Sequence, residues 1–191
     1  TSDRIAGLSK TYPWFQARLI LAMSIAANRP LLCVPFPTWL LRKIQDLKKR
    51  KVPEALTRNM ELNYYTGLAF YQSQKGELDR KLLKELQARY ITDSLTTEKA
   101  YALGMFFNRC RAVDATVTLI RPLMKPGVYT EDLVFLYAWS TAYTREMVSE
   151  EEWLGWMEKA HAMNPERWKR LVDRDWQLLR WARLKGLYCT D

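Results

Sequence analysis

Few side chains in this 191-residue chain have catalytic potential, and they are scattered. His161 is the single histidine. One imidazole cannot build a multi-histidine metal site, and no triad forms around it in the sequence. It lies late in a helical stretch, where an imidazole complements the negative end of the helix dipole. Glu150-Glu151-Glu152 opens that stretch, where carboxylates face the positive end. Asp173 and Asp175 have the side chains for general acid–base work, but Arg170, Arg174 and Arg180 flank them, which points to surface ion pairing. Cys33, Cys110 and Cys189 are too far apart for a CxxC unit or a zinc ligand set. They read as isolated buried thiols, with one long-range disulfide left open in an oxidising compartment. Neither GxxxxGK[ST] nor a GxGxxG after a strand is present. The expectation is of no catalytic residue, no cofactor and no metal.

Cations are the more informative chemistry. Thirty Lys and Arg stand against 21 Asp and Glu, a formal net charge of +9. Such a balance favours acidic partners, nucleic acid or an anionic membrane surface. Lys48-Lys49-Arg50-Lys51 is one compact basic run. Arg167, Lys169, Arg170, Arg174, Arg180, Arg183 and Lys185 form a second, interleaved with Trp168, Trp176 and Trp181. Aromatics beside cations suit stacking on single-stranded bases. Lys48, Lys49, Arg50, Lys51, Arg170 and Arg174 are therefore candidate nucleic-acid contacts. The same tryptophans also have helical spacing, and with Trp153 and Trp156 they suit a buried cap under a basic outer face.

The elements that hold these residues are helices. The chain is 48% hydrophobic with only 7 Gly and 8 Pro, and no alternating β-branched runs appear. Trp14, Ala17, Leu21 and Ile25 recur at helical steps until Asn28-Arg29-Pro30. Val34-Pro35-Phe36-Pro37 is expected to be extended. Pro37 or Thr38 opens a second helix that ends in the basic run before Pro53. Further helices are expected over residues 53–75, 77–90, 98–109, 112–124 and 131–145. Gly76, Thr92-Asp93-Ser94 and Pro126-Gly127 are the breaks. Ser149 and Glu152 form a capping box for the next helix, which stops at Asn164-Pro165. Residues 166–188 make one or two short helices, with Leu187 and Tyr188 folding back on the preceding hairpin. The fold class expected is all-α, in one domain.

Two of the resulting hairpins repeat. Gly67 and Gly104 are 37 residues apart, and at that offset Phe70 falls on Phe107, Leu83 on Ile120 and Leu86 on Leu123. A looser third unit contains Tyr137, Tyr143, Met157, Ala160 and Asn164-Pro165. A small residue lets the second helix approach the first, an aromatic one turn later fills the gap, and proline ends the hairpin. This pattern resembles the tetratricopeptide repeat, whose usual unit is about 34 residues. The resemblance rests on Gly67 with Phe70 and Tyr71, Leu103-Gly104 with Phe107, and Ala160 with Asn164-Pro165. Residues 60–165 are the repeat core, 14–51 a degenerate first hairpin or cap, and 166–191 a helical cap.

The resemblance implies a right-handed superhelical solenoid of stacked antiparallel helix hairpins. It also implies a non-enzymatic scaffold that binds a partner segment along its first helices. Those helices offer Asn63, Thr66, Gln72, Tyr101, Phe106, Arg109, Tyr137, Ser140, Thr141 and Thr144, and Arg109 and Arg145 are suited to a carboxylate. A protein or peptide partner is expected, with single-stranded nucleic acid as the alternative. The most apolar stretch, residues 14–27, carries Gln16 and Arg18 and is shorter than the ~20 residues that cross a bilayer. No basic region followed by an apolar core marks a signal peptide at the start. The expectation is a soluble chain without a transmembrane segment, its compartment left open between the cytoplasm and, if a leader is removed, the bacterial envelope.

Overall fold

A computed structural model describes residues 39–50 and 52–187. The first expected helix, the extended prolines, the opening of the second helix, Lys51, Cys33, Tyr188 and Cys189 lie outside the described residues. Among those described the fold is all-α, with no strand. The helices are α1 (Trp39–Lys49), α2 (Glu54–Lys75), α3 (Arg80–Tyr90), α4 (Thr97–Arg109), α5 (Val113–Ile120), α6 (Glu131–Ala142), α7 (Glu150–Met163), α8 (Pro165–Val172) and α9 (Trp176–Leu184).

Local chemistry sets the boundaries. Gly76 ends α2 at φ 75°, a left-handed conformation that glycine adopts without Cβ strain. Asp79, Thr96, Thr130, Ser149 and Asn164 each accept a backbone N–H at the start of the helix that follows. The Asp79 cap explains why α3 begins at Arg80 and not at residue 77. Proline explains the early end of α5. Pro122 has no N–H to continue the ladder, so Arg121–Leu123 tightens into a 3₁₀ turn. α6 stops three residues short of the expected end. Ser140, Thr141 and Thr144 donate their hydroxyls to the carbonyls of Leu136, Tyr137 and Ser140, a back-bonding pattern that weakens a helix end.

The chain forms two compact units, residues 1–92 and 93–191. Their boundary falls at the Thr92-Asp93-Ser94 turn, inside the span read as the repeat core. In the first unit α1 packs on α2 and α2 on α3. Ile44, Leu47, Val52, Met60 and Tyr64 form a buried cluster there. In the second unit α6 is the central helix. Leu133 to Ala138 are all buried, so α6 is covered on every side, by α4, α5 and α7 among others. Full burial of a side chain such as Leu133 contributes about 1.5–3 kcal/mol relative to exposure. Trp153, Met157, Trp168, Val172, Leu178 and Ala182 continue this core into α7, α8 and α9.

The pairs matched at the 37-residue offset agree in burial at two of four positions, and Leu86 is buried whereas Leu123 is half-buried in the 3₁₀ turn. Gly67 and Gly104 are both buried, as are Leu83 and Ile120. Phe107 is buried and Phe70 half-buried. A Cβ on Gly104 would lie 3.1 Å from Ile120, 3.1 Å from Leu136 and 3.2 Å from Thr116. That glycine is where α5 and α6 both come close to α4.

Candidate functional site: an arginine-lined cavity in the second unit

Three helical stripes in the second unit face one cavity of about 610 Å³. α4 supplies Tyr101, Met105, Asn108 and Arg109. α6 supplies Asp132, Phe135, Leu136 and Trp139. α8 and the residues after it supply Arg167, Arg170, Leu171 and Arg174. Each set is spaced by three and four residues, so each lies on one face of its helix.

Hydrogen bonds fix the wall. The Asn108 amide donates to Ser140 Oγ at 3.2 Å, and its carbonyl accepts from Thr116 Oγ1 at 2.7 Å. This ties α4 to α5 and α6 beside the cavity. Trp139 Nε1 donates to Asp175 Oδ2 at 2.9 Å, which sets the indole orientation. Tyr143 donates to the same oxygen, while Asp175 Oδ1 accepts the Leu178 N–H at the start of α9. Burial, and then the adjacent Asp175 carboxylate, hold the Tyr143 hydroxyl protonated well above the usual phenol range. Asp175 is thus a junction between α6 and α9, which the expectation of surface ion pairing did not include.

The cations divide into two kinds. Arg167 reaches Glu131 Oε1 at 2.9 Å and Asp132 Oδ1 at 2.7 Å, and its guanidinium lies 4.5 Å from the centre of the Phe135 ring. It is neutralised and stacked. Arg109, Arg170 and Arg174 are exposed and make no ion pair or side-chain hydrogen bond with any described residue. Asp132, the one carboxylate in the lining, is engaged by Arg167. The cavity lining is therefore net cationic.

The expected site residues fall in different places. Tyr101 and Arg109 line the cavity, and so do Arg170 and Arg174, which the sequence placed in a separate basic region. Tyr137 and Thr141 are fully buried away from it. The Tyr137 hydroxyl donates to Glu152 Oε1 at 2.9 Å and accepts from Arg121 Nε at 3.1 Å. Burial first, then the Glu152 carboxylate, push its pKa up to about 12. Thr141 donates to its own helix backbone. Arg145 lies 5.1 Å from the Trp153 ring centre and 4.8 Å from that of Trp181, a cation–π position outside the cavity. Asn63 and Thr66 are half-buried on α2 of the first unit, and Thr66 donates to the Leu62 carbonyl. Lys48 pairs with Glu61 at 2.8 Å, while Lys49 and Arg50 are exposed at the end of α1.

The tryptophans of the C-terminal region also separate. Trp168 is buried and donates to the Leu187 carbonyl at 3.0 Å, so Leu187 does fold back. Trp153 is buried as well, whereas Trp176 is 71% exposed. Met105, Phe135 and Trp139 were not singled out from the sequence. Their signal was the spacing from Tyr101 and Asp132, which only identifies a shared face once the partner helices are known.

Among the described residues no helix is long and apolar enough to cross a membrane, and no three His, Cys, Asp or Glu side chains gather as a metal-holding group. A scan against protein-family models and searches of curated proteins and of solved structures found no match to this chain.

Proposed function

We propose that this chain is a non-enzymatic interaction module whose second unit holds a segment of a partner protein in the arginine-lined cavity. The observation that carries the reading is the convergence of Arg109, Arg170 and Arg174, all without ion-pair partners among the described residues, on a cavity that also has apolar lining residues. Exposed cations beside apolar surface are a binding arrangement. The reading includes a tetratricopeptide-like plan, in which hairpins stack as a right-handed solenoid and first helices line the concave face. Two features of the second unit support that plan: α4 packs on α6 as well as on α5, and Gly104 sits at the close approach. Two of the three walls of its cavity are α4 and α6, both first helices of their hairpins in this plan.

Nucleic acid is the competing occupant, and the cavity suits it less. One face of Phe135 is covered by Arg167, and the Trp139 ring packs 4.9 Å from Tyr143 with its N–H engaged. Stacking on bases needs free aromatic faces. A photo-reactive amino acid in place of Met105, introduced in the native cell, tests the reading. The expected product is a cross-link to one defined peptide of another protein, lost when Arg170 and Arg174 are changed to Glu. Cross-links to RNA alone, or protein cross-links indifferent to those changes, would overturn it.

A further inference from the structure

On the reading that the cavity receives a partner segment, we infer that the segment is acidic and carries one aliphatic side chain among its carboxylates. The cavity has two chemically distinct parts. The apolar part is Met105, Leu136 and Leu171, one residue from each of three helices, beside the rings of Tyr101, Phe135 and Trp139. Met105 keeps 37% of its surface exposed and offers a flexible apolar surface to an incoming side chain. The cationic part is Arg109, Arg170 and Arg174, whose planar guanidinium groups pair with carboxylates in a two-pronged geometry.

Charge complementarity selects the occupant. Arg167 is already satisfied by Glu131 and Asp132, so the acidic groups of this wall do not neutralise the other three arginines. A basic or neutral segment would leave those charges unanswered. Of the three rings in the lining, Phe135 lies under a guanidinium and the Trp139 N–H is held by Asp175, so Met105, Leu136 and Leu171, beside Tyr101, are the surface for an aliphatic anchor. The volume of about 610 Å³ suits a short segment and not a long one.

Fluorescence anisotropy on the full chain tests this with labelled probes. They are a short peptide of glutamates with one central leucine, the same peptide with glycine for leucine, a lysine peptide with leucine, and an oligothymidylate of equal length. The leucine–glutamate peptide is expected to bind most tightly and to weaken as salt rises. Glycine in place of leucine should weaken binding about tenfold, the worth of one buried leucine side chain. Met105→Gln should shrink that leucine–glycine difference. R109E/R170E/R174E should weaken the acidic peptide at least about tenfold. R42E/K43E/K84E, with the same change in net charge in the first unit, should stay within about twofold. Circular dichroism spectra and melting curves confirm that each variant is folded.

Equal binding of the leucine and glycine peptides would overturn the inference. So would no binding of either, or equal loss in the two triple variants. If the Met105 cross-link identifies a partner protein that the acidic leucine peptide fails to displace, the partner reading stands and this inference falls. If only oligothymidylate binds, both fall.

Discussion

Gly104 is a residue at which the second unit leaves no free room for a side chain. Its missing Cβ leaves room for Ile120, Leu136 and Thr116, and all three are fully or nearly buried side chains that have little space to retreat. Gly155 is the internal control. It is also helical, but nothing lies within 4 Å of the position a Cβ would take. Gly155→Ala is expected to stabilise by roughly 0.5–1 kcal/mol, the usual gain of alanine over glycine in a helix. Gly104→Ala carries the same helical gain but crowds a packed core, and is expected to destabilise by about 1–2 kcal/mol net. Urea unfolding of both variants decides this, and stabilisation by both would show that the close approach at Gly104 does not constrain the fold. The glycine was legible in the sequence because glycine is rare here and recurs at a fixed offset. The roles of Tyr137 and Thr141 were not. A polar side chain on a first helix looks like a ligand contact until the neighbours are known, and both prove to be buried with their hydroxyls satisfied.

At the scale of elements, helix ends were readable and helix faces were only partly so. Capping residues act within one turn, so Thr96, Thr130, Ser149 and Asn164 announce the helices they start. Faces depend on what packs against them. α6 has apolar residues on every side, and no periodicity in it marks Asp132 to Trp139 as a cavity wall. Asp175 shows how one side chain joins elements distant in sequence. It caps α9 and accepts from Trp139 and Tyr143 of the α6 region. Asp175→Ala removes a cap and an acceptor for two aromatic donors. The expected loss is about 2 kcal/mol, read as a lower urea midpoint. A loss below about 0.5 kcal/mol would mean that the junction is not held by this carboxylate.

For the whole molecule, the division at residues 92 and 93 matters more than the single-domain expectation suggested. The larger buried cluster and all the side chains packed against it come from the second unit. The cavity lining comes from it as well. A fragment of residues 93–191 is therefore expected to be helical by circular dichroism and to melt cooperatively by itself. A fragment without a thermal transition would show that this core needs the rest of the chain. The boundary was present in the sequence as the turn Thr92-Asp93-Ser94. A turn between helices looks the same whether or not the elements on either side share a core, so it could not be ranked above the other breaks.

What the sequence determined by itself is the all-α class and the starts of α2 and of α4 to α8, because caps, glycines, prolines and helical spacing act over a few residues. It also determined that the chain is basic. The tertiary structure alone decided which cations meet. Arg109 belonged to one expected surface and Arg170 and Arg174 to another, and the packing of α4, α6 and α8 opens all three onto one cavity. Arg167 looks identical to them in the sequence, yet Glu131, Asp132 and Phe135 neutralise and cover it. Charge is a property of each residue, but whether that charge is available to a ligand depends on neighbours that are distant along the chain and adjacent only after folding.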